Sequence, residues 1–312
     1  MMWANSIAVM LSLVAFIGGL KVMRRGMESM AQGKLARFVQ RLARTPTRGI
    51  LTGTVMTAIL QSSAALTAIT VGLVAGRSLT FRSGLGIILG SNVGSTITPQ
   101  VLTLNLWAIV IPALCFGILG FMTHKPQWRP ASEALVGFAC IFIALQALKV
   151  ALDPLTQSPW FTAVLQFAGQ HAVIAVLAGC AASALVQSST ATTIITMTLA
   201  DSHLIPTTGA IAIVLGANVG TCLTSIIAAI GESREAQQVA LAHVILNLAG
   251  VLVFMPFIHP FTAAMGWTSR DPAQQIANAH TVFNVLCTLA AWPFAGQFAA
   301  LIERLLPDKR YA

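Results

Sequence analysis

Long apolar runs separated by short polar or basic connections fill most of the chain. A helix needs about 20 residues to cross a hydrocarbon core of ~30 Å. The runs near 3–22, 82–105, 107–123, 133–151, 203–230, 236–257 and 274–301 therefore predict membrane-spanning helices. The first run has neither a basic start nor a small-residue cleavage site, so it is expected to remain as a span. Within 24–48, Leu35, Phe38, Val39 and Leu42 recur at i, i+3, i+4 and i+7, while Lys34, Arg37, Arg41 and Arg44 point elsewhere. That pattern predicts an amphipathic helix lying on the membrane interface.

Two further apolar stretches, 49–76 and 172–200, are cut near their middles by Gln61-Ser62-Ser63 and Gln187-Ser188-Ser189. About twelve helical residues on either side would reach only ~18 Å, so each stretch is expected to enter the membrane as a re-entrant hairpin and return on the same side. The basic residues favour this over two full spans. Hairpins place 16 Lys and Arg on one side and two, Lys149 and Arg270, on the other, whereas full spans give 13 and five. Because cytoplasmic loops collect Lys and Arg, the N-terminus is expected outside and the C-terminus in the cytoplasm, after seven crossings.

A shift of 126 residues aligns 51–98 with 177–224 without a gap, and 18 of 48 positions are identical. The matches include Gln61/Gln187, Ser62/Ser188, Ser63/Ser189, Gly90/Gly216, Asn92/Asn218, Gly94/Gly220 and Thr98/Thr224, which apolar bias alone would not bring into one register. Three crossings lie between the two hairpins. An odd number inverts the second copy, and solute sites of inverted-repeat transporters lie near the midplane between the copies. The expected organisation is a first span with its basic segment (1–48), a first repeat (49–151), and a linker with the second repeat (152–312). The expected fold is an all-α integral membrane protein, an inverted-repeat transporter with two re-entrant helical hairpins and discontinuous helices.

Hairpin tips expose unpaired backbone groups, tolerable in a membrane only against protein or a watery cavity. Helix N-termini there offer N–H donors and partial positive charge to an anion. The Ser and Gln oxygens suit a hard cation such as Na⁺. The second pair of motifs reads Gly90-Ser-Asn92-Val-Gly94-Ser95-Thr96-Ile-Thr98 and Gly216-Ala-Asn218-Val-Gly220-Thr221-Cys-Leu-Thr224. Glycine and asparagine tolerate left-handed backbone, so an unwound break is expected in each span. The spacing of Gly86, Gly90 and Gly94 also suits close helix packing. The binding candidates are thus Gln61, Ser62, Ser63, Asn92, Ser95, Thr96, Thr98, Gln187, Ser188, Ser189, Thr190, Asn218, Thr221 and Thr224, with Gln61, Asn92, Gln187 and Asn218 as Na⁺ ligands. Neither cluster nor break contains Asp, Glu, Lys or Arg. A divalent anion is therefore expected to be neutralised by dipoles, hydroxyls and co-bound cations, because a bare buried charge is very costly.

A shorter duplication, Ala-His243-x-x-x-Asn247 and Ala-His280-x-x-x-Asn284, puts His and Asn on one helix face. Packing and hydrogen bonding are the expected roles of these residues. Hydrolysis using a serine and His243 or His280 is disfavoured, since there is no G-x-S-x-G and no carboxylate partner.

Composition fits this picture: 56% of the 312 residues are hydrophobic and 9% charged. The net charge of +9 is concentrated, with eight of 18 Lys and Arg between Lys21 and Arg48. That is the pattern of a cytoplasmic membrane face and not of a nucleic-acid surface. Cys115, Cys140, Cys180, Cys222 and Cys287 lie far apart in apolar stretches, so neither a disulfide framework nor a metal site is indicated.

The paired Gln-Ser-Ser, Gly-x-Asn-Val-Gly and Ala-His-x-x-x-Asn motifs together resemble the sodium/phosphate cotransporter family, type II and its bacterial relatives, over roughly 50–300. The resemblance implies Na⁺-coupled symport of inorganic phosphate across the plasma membrane, in bacteria the inner membrane, with Gln61, Ser62, Ser63, Gln187, Ser188 and Ser189 in the transport path. It implies no enzyme activity and no cofactor beyond Na⁺ as coupling ion. The partners are phosphate, Na⁺ and the lipid bilayer, with homo-oligomerisation left open. Two departures stand out. The family motif continues with a third serine, where this chain has Ala64 and Thr190, and many bacterial relatives carry a soluble regulatory domain absent from this sequence, which ends at Ala312. Another small oxyanion or a carboxylate as solute, or a non-transporting sensor, are the alternatives.

Overall fold

The computed structural model describes residues 2–31 and 34–307. The tail of the expected basic loop 304–310, with Lys309 and Arg310, lies outside the described residues. Those described are helical, with no strand among them. Helix α1 (Met2–Met30) is followed by α2 (Leu35–Leu42), α3 (Pro46–Leu60), α4 (Ser63–Ala75), α5 (Phe81–Gly94), α6 (Ile97–Leu102) and α7 (Trp107–Met122). Then come α8 (Arg129–Thr156), α9 (Pro159–Gln170), α10 (Ala172–Val186), α11 (Ser189–Asp201), α12 (Thr207–Gly220) and α13 (Cys222–Ala229). The chain continues through α14 (Arg234–Phe254), α15 (Ile258–Gly266), α16 (Pro272–Ala291) and α17 (Ala295–Leu305).

Four segments, Asn5–Met30, Arg129–Thr156, Thr207–Ala229 and Arg234–Gly266, are long and apolar enough to cross a bilayer unbroken. The expected run 274–301 is not one straight span: α16 and α17 meet at 83°, where Pro293 has no N–H to continue the ladder. The segment 24–48 also divides differently, since α1 runs on to Met30 and the amphipathic helix is confined to α2. Val39 is buried there and Phe38 is exposed. Helix α9 lies within the region expected to be a linker, and turns by 102° into α10.

The duplication is visible in the element boundaries. A shift of 126 residues carries α3, α4 and α5 onto α10, α11 and α12 at identical limits, and carries α1 onto α8 and α2 onto α9 within two residues. The correspondence thus reaches further toward the N-terminus than residue 49. The left-handed backbone repeats as well, at Gln61 and Gln187 and again at Arg77 and His203.

Glycines set the closest helix contacts. A Cβ on Gly86, Gly90 or Gly94 would collide with the carbonyls of Pro46, Ile50 and Thr54 on α3. In the second copy, Gly216 and Gly220 lie against Val176 and Cys180 of α10 in the same way. Gly137 of α8 lies against Met23 of α1. Such contacts let backbones approach where no hydrophobic effect drives association. Gly90→Val and Gly216→Val are therefore expected to abolish monodisperse protein on size exclusion. Gly72→Ala, with nothing near its Cβ position, should be tolerated and gain about 1 kcal/mol of helix propensity.

The two copies interlock. The returning leg of the first hairpin, α4, packs on α13 and α14, and that of the second, α11, packs on α6 and α16. Polar contacts tie the ends together in two groups. Arg82–Glu303 (3.8 Å) and Gln238 Nε2 to the Leu306 carbonyl (2.8 Å) join the starts of α5 and α14 to α17, and Trp292 Nε1 to Thr47 Oγ1 (3.0 Å) joins the start of α3 to the turn between α16 and α17. At the ends of α8 and α11, Lys149 pairs with Asp201 at 2.5 Å.

Candidate functional site

Each Gln-Ser-Ser sequence forms a tight turn between two helix legs. Gln61 (φ 56°, ψ 23°) and Gln187 (φ 55°, ψ 35°) end α3 and α10 in the left-handed conformation. Ser62 and Ser188 then restart the helix, their hydroxyl oxygens accepting the amides of Ala65 at 3.2 Å and Ala191 at 3.1 Å. At the second turn the Ser188 amide also reaches back to the Ser183 carbonyl at 3.2 Å, which closes the helix end as a six-to-one bond. A left-handed non-glycine residue costs on the order of 1–3 kcal/mol and is typical of functional sites. Both copies pay that cost at the same position. The legs, 13 to 15 residues long, span only about 20–23 Å, which fits hairpins that stop inside the bilayer.

The breaks differ from expectation. Ser95, Thr96 and Thr221 keep right-handed helical backbone, and no glycine of either motif has positive φ. The interruption is a tightened turn, with the Thr96 amide bonded to the Val93 carbonyl. Side chains take up the nearby carbonyls: Ser95 Oγ donates to Asn92 O at 2.7 Å, Thr96 Oγ1 to Val93 O at 2.8 Å and Thr224 Oγ1 to Thr221 O at 2.8 Å. Such back-bonding satisfies the backbone without unwinding it. The glycines are there for packing.

Both hairpin tips reach the first break. Thr98 Oγ1 donates to Gln61 Oε1 of the first tip, and Thr190 Oγ1 of the second lies 3.4 Å from the Ser95 carbonyl. The four residues meet along the single turn Ser95–Thr98. Ser62, Ser188, Ser189 and Thr190 are buried beside it, and Ser63 is half-buried. The copies are not equivalent: Gln187 is exposed, and Thr224 bonds within its own helix instead of to Gln187. Asn218 likewise turns back onto the Val214 carbonyl at 2.8 Å, and Thr221 is buried at the head of α13.

Asn92 faces α14 and not the tips. Its Nδ2 donates to Asn247 Oδ1 at 3.2 Å, its Oδ1 lies 3.2 Å from His243 Nε2, and His243 Nδ1 lies 2.5 Å from Ser225 Oγ. The His–Asn segment thus fastens the first copy to α13, in keeping with a hydrogen-bonding role. The equivalent His280 is fully buried and neither ring nitrogen has a protein partner. One reason is legible: 126 residues before Ser225 stands Pro99, which has no hydroxyl.

Sequence reasoning missed one charged group. Arg24 Nη2 of α1 donates to Ser188 Oγ at 3.0 Å. It lies just past the apolar run and reads as a loop cation, yet no helix stop stands between Leu20 and Met30 except the tolerated Gly26. A cavity of about 350 Å³ is lined by Asn105, Gln146, Lys149, Thr198 and Asp201, and also by Leu102 and Ile194. These are four residues beyond Thr98 and Thr190, one turn from the meeting point of the tips.

Short helix legs ending at a buried polar turn, in a chain otherwise apolar enough for the bilayer, define a multi-pass membrane protein of duplicated build. The sequence model of the Na⁺/Pi-cotransporter family matches twice, at residues 15–150 and 155–288, and the chain belongs to that family. It is 32% identical over 297 residues, 95% of its own length and 97% of the relative's, to "Uncharacterized protein YqeW" of Bacillus subtilis. It is 29% identical over 261 residues to "Putative inorganic phosphate export protein YjbB" of Salmonella typhimurium, and 28% over 262 residues to the protein of that name in Escherichia coli K12. These matches cover 82% of this chain and 48% of each YjbB, so the chain spans about half the length of the relatives named for phosphate export. No solved structure matches.

Proposed function

We propose that this chain moves inorganic phosphate across the membrane coupled to Na⁺, by alternating access between two inverted halves. The observation that carries the reading is the meeting of both hairpin tips on the turn Ser95–Thr98. Uncharged oxygens of Gln61, Thr98 and Ser95 gather there in a form suited to Na⁺, with Asn92, Gln187 and Asn218 as the further Na⁺ candidates. The start of α11 faces the same turn and suits an anion. The inequality of the copies also supports alternating access, since exchanging the two arrangements would carry the site from one side to the other. In this reading the 350 Å³ cavity opens to the outside.

Purified chain in proteoliposomes is expected to take up labelled phosphate with an inward Na⁺ gradient, and at least 10-fold more slowly when K⁺ replaces Na⁺. Ser62→Ala is expected to cut the rate by about 10-fold, the loss of one hydrogen bond of roughly 1.4 kcal/mol. Equal rates in Na⁺ and K⁺ would refute the coupling. A second reading, export, draws on the names of the YjbB relatives; vesicles loaded with phosphate and given a reversed gradient distinguish it. Competition by sulfate and succinate tests the solute.

A further inference from the structure

We infer that Arg24 is the fixed positive charge of the anion site, so that a tetrahedral oxyanion such as the phosphate dianion binds at the second tip, between the Arg24 guanidinium, the Ser188 hydroxyl and the start of α11. This rests on the transport reading above and deepens it. Four observations converge. The guanidinium touches Ser188 Oγ at 3.0 Å, and its Nε is buried with no hydrogen-bond partner. Among the described residues no carboxylate lies within 4.0 Å of it. Glu133, at the same end of the bundle, is held by Arg25 at 3.7 Å and Arg129 at 3.1 Å. Glu28, one turn along α1, acts on it electrostatically from beyond 4.0 Å and makes no direct ion pair. A half-buried guanidinium whose Nε is sealed off without a partner and which has no carboxylate in ion-pair range is costly to hold, and here the helix end it faces repels it too.

That helix end supplies the remaining donors. The first intrahelical bond of α11 runs from the Thr192 amide to the Ser188 carbonyl. The Ser189 and Thr190 amides before it have no carbonyl to bond, and both residues are buried. A guanidinium and a helix N-terminus are both positive, so holding them together is unfavourable until an anion lies between them. Arginine presents two parallel donors, which match two oxygens of a phosphate. The site belongs to one copy only: the residue 126 positions on is Val150, apolar and 65% exposed. The burial of Ser188, Ser189 and Thr190 favours a small free anion over a lipid headgroup.

The test is phosphate binding to the full chain in phosphatidylcholine nanodiscs at saturating Na⁺, measured by scintillation proximity for wild type, Arg24→Lys and Arg24→Gln. The expected result is a Kd raised about 100-fold by Arg24→Gln, the scale for removing one member of a buried charge pair, and raised less by Arg24→Lys. Both variants should keep the wild-type elution volume. Unchanged phosphate affinity in a folded Arg24→Gln protein overturns the inference and leaves Na⁺-coupled transport standing. Arg24-dependent binding of sulfate with no binding of phosphate upholds the anion site and overturns phosphate as the solute. Wild-type protein that binds neither anion overturns the inference, as does loss of the phosphate signal when phosphatidylglycerol is added, which would assign Arg24 to a lipid.

Discussion

Asn92→Leu is expected to destabilise the protein by about 2–6 kcal/mol, because it leaves two buried partners without their hydrogen bonds at roughly 1–3 kcal/mol each. Asn92 accepts through Oδ1 and donates through Nδ2, so it engages His243 and Asn247 at once. An amide oxygen only accepts, which requires that His243 carry its proton on Nε2. A neutral ring then accepts from Ser225 Oγ at Nδ1. Leucine ends both contacts and strands the imidazole proton in a dry interior. Asn218 provides the control. Its Nδ2 bonds only to the Val214 carbonyl, one turn back on its own helix, so Asn218→Leu should cost about 1 kcal/mol. Thermal unfolding in detergent compares the two. Equal shifts would mean that the bridge to α14 contributes nothing. Phosphate uptake should fall further in Asn92→Leu than in Ser62→Ala, because the bridge also holds the first break against α14.

The tips were legible in the sequence because their chemistry is local. A glutamine that ends one helix and a serine that caps the next need no distant partner, and the repetition of Gln-Ser-Ser marked both turns. The expected stretches 49–76 and 172–200 became α3–α4 and α10–α11 with ends shifted by no more than three residues. The breaks were misread where a local preference competed with a tertiary cause. Glycine at 90, 94, 216 and 220 permits left-handed backbone, but each is glycine because a partner helix's carbonyl occupies the place of its Cβ. Ser95 and Thr96 then make unwinding unnecessary. Arg24 was not legible at all as a site residue. Its role depends on α1 continuing past the apolar run and on the second tip arriving beside it, a contact across 164 positions of sequence. For the same reason the motifs, which carry no cation of their own, do not point to Arg24.

Locking the second tip to the first break is expected to reduce transport at least 20-fold, reversibly. Thr190 and Ser95 lie in contact, from α11 and the α5–α6 turn, so Ser95→Cys with Thr190→Cys places two thiols within range of a short methanethiosulfonate cross-linker. The five native cysteines are first replaced. Cys222 calls for serine, because it lies 3.3 Å from Asn247 Nδ2 and a hydroxyl there still accepts. If alternating access exchanges the arrangements of the two copies, Thr190 must leave Ser95 in every cycle, and a bond across that contact arrests one state. Uptake should therefore collapse on cross-linking and return on reduction, while phosphate binding survives in whichever state is trapped. Cross-linking Thr57→Cys to Ser91→Cys offers the contrast. Thr57 Oγ1 of α3 donates to Ser91 Oγ of α5 at 2.9 Å within one repeat, where the two helices are expected to move as a unit, so transport should persist. Full transport with the 95–190 link in place would mean that the tips move as one body and that the solute takes another path.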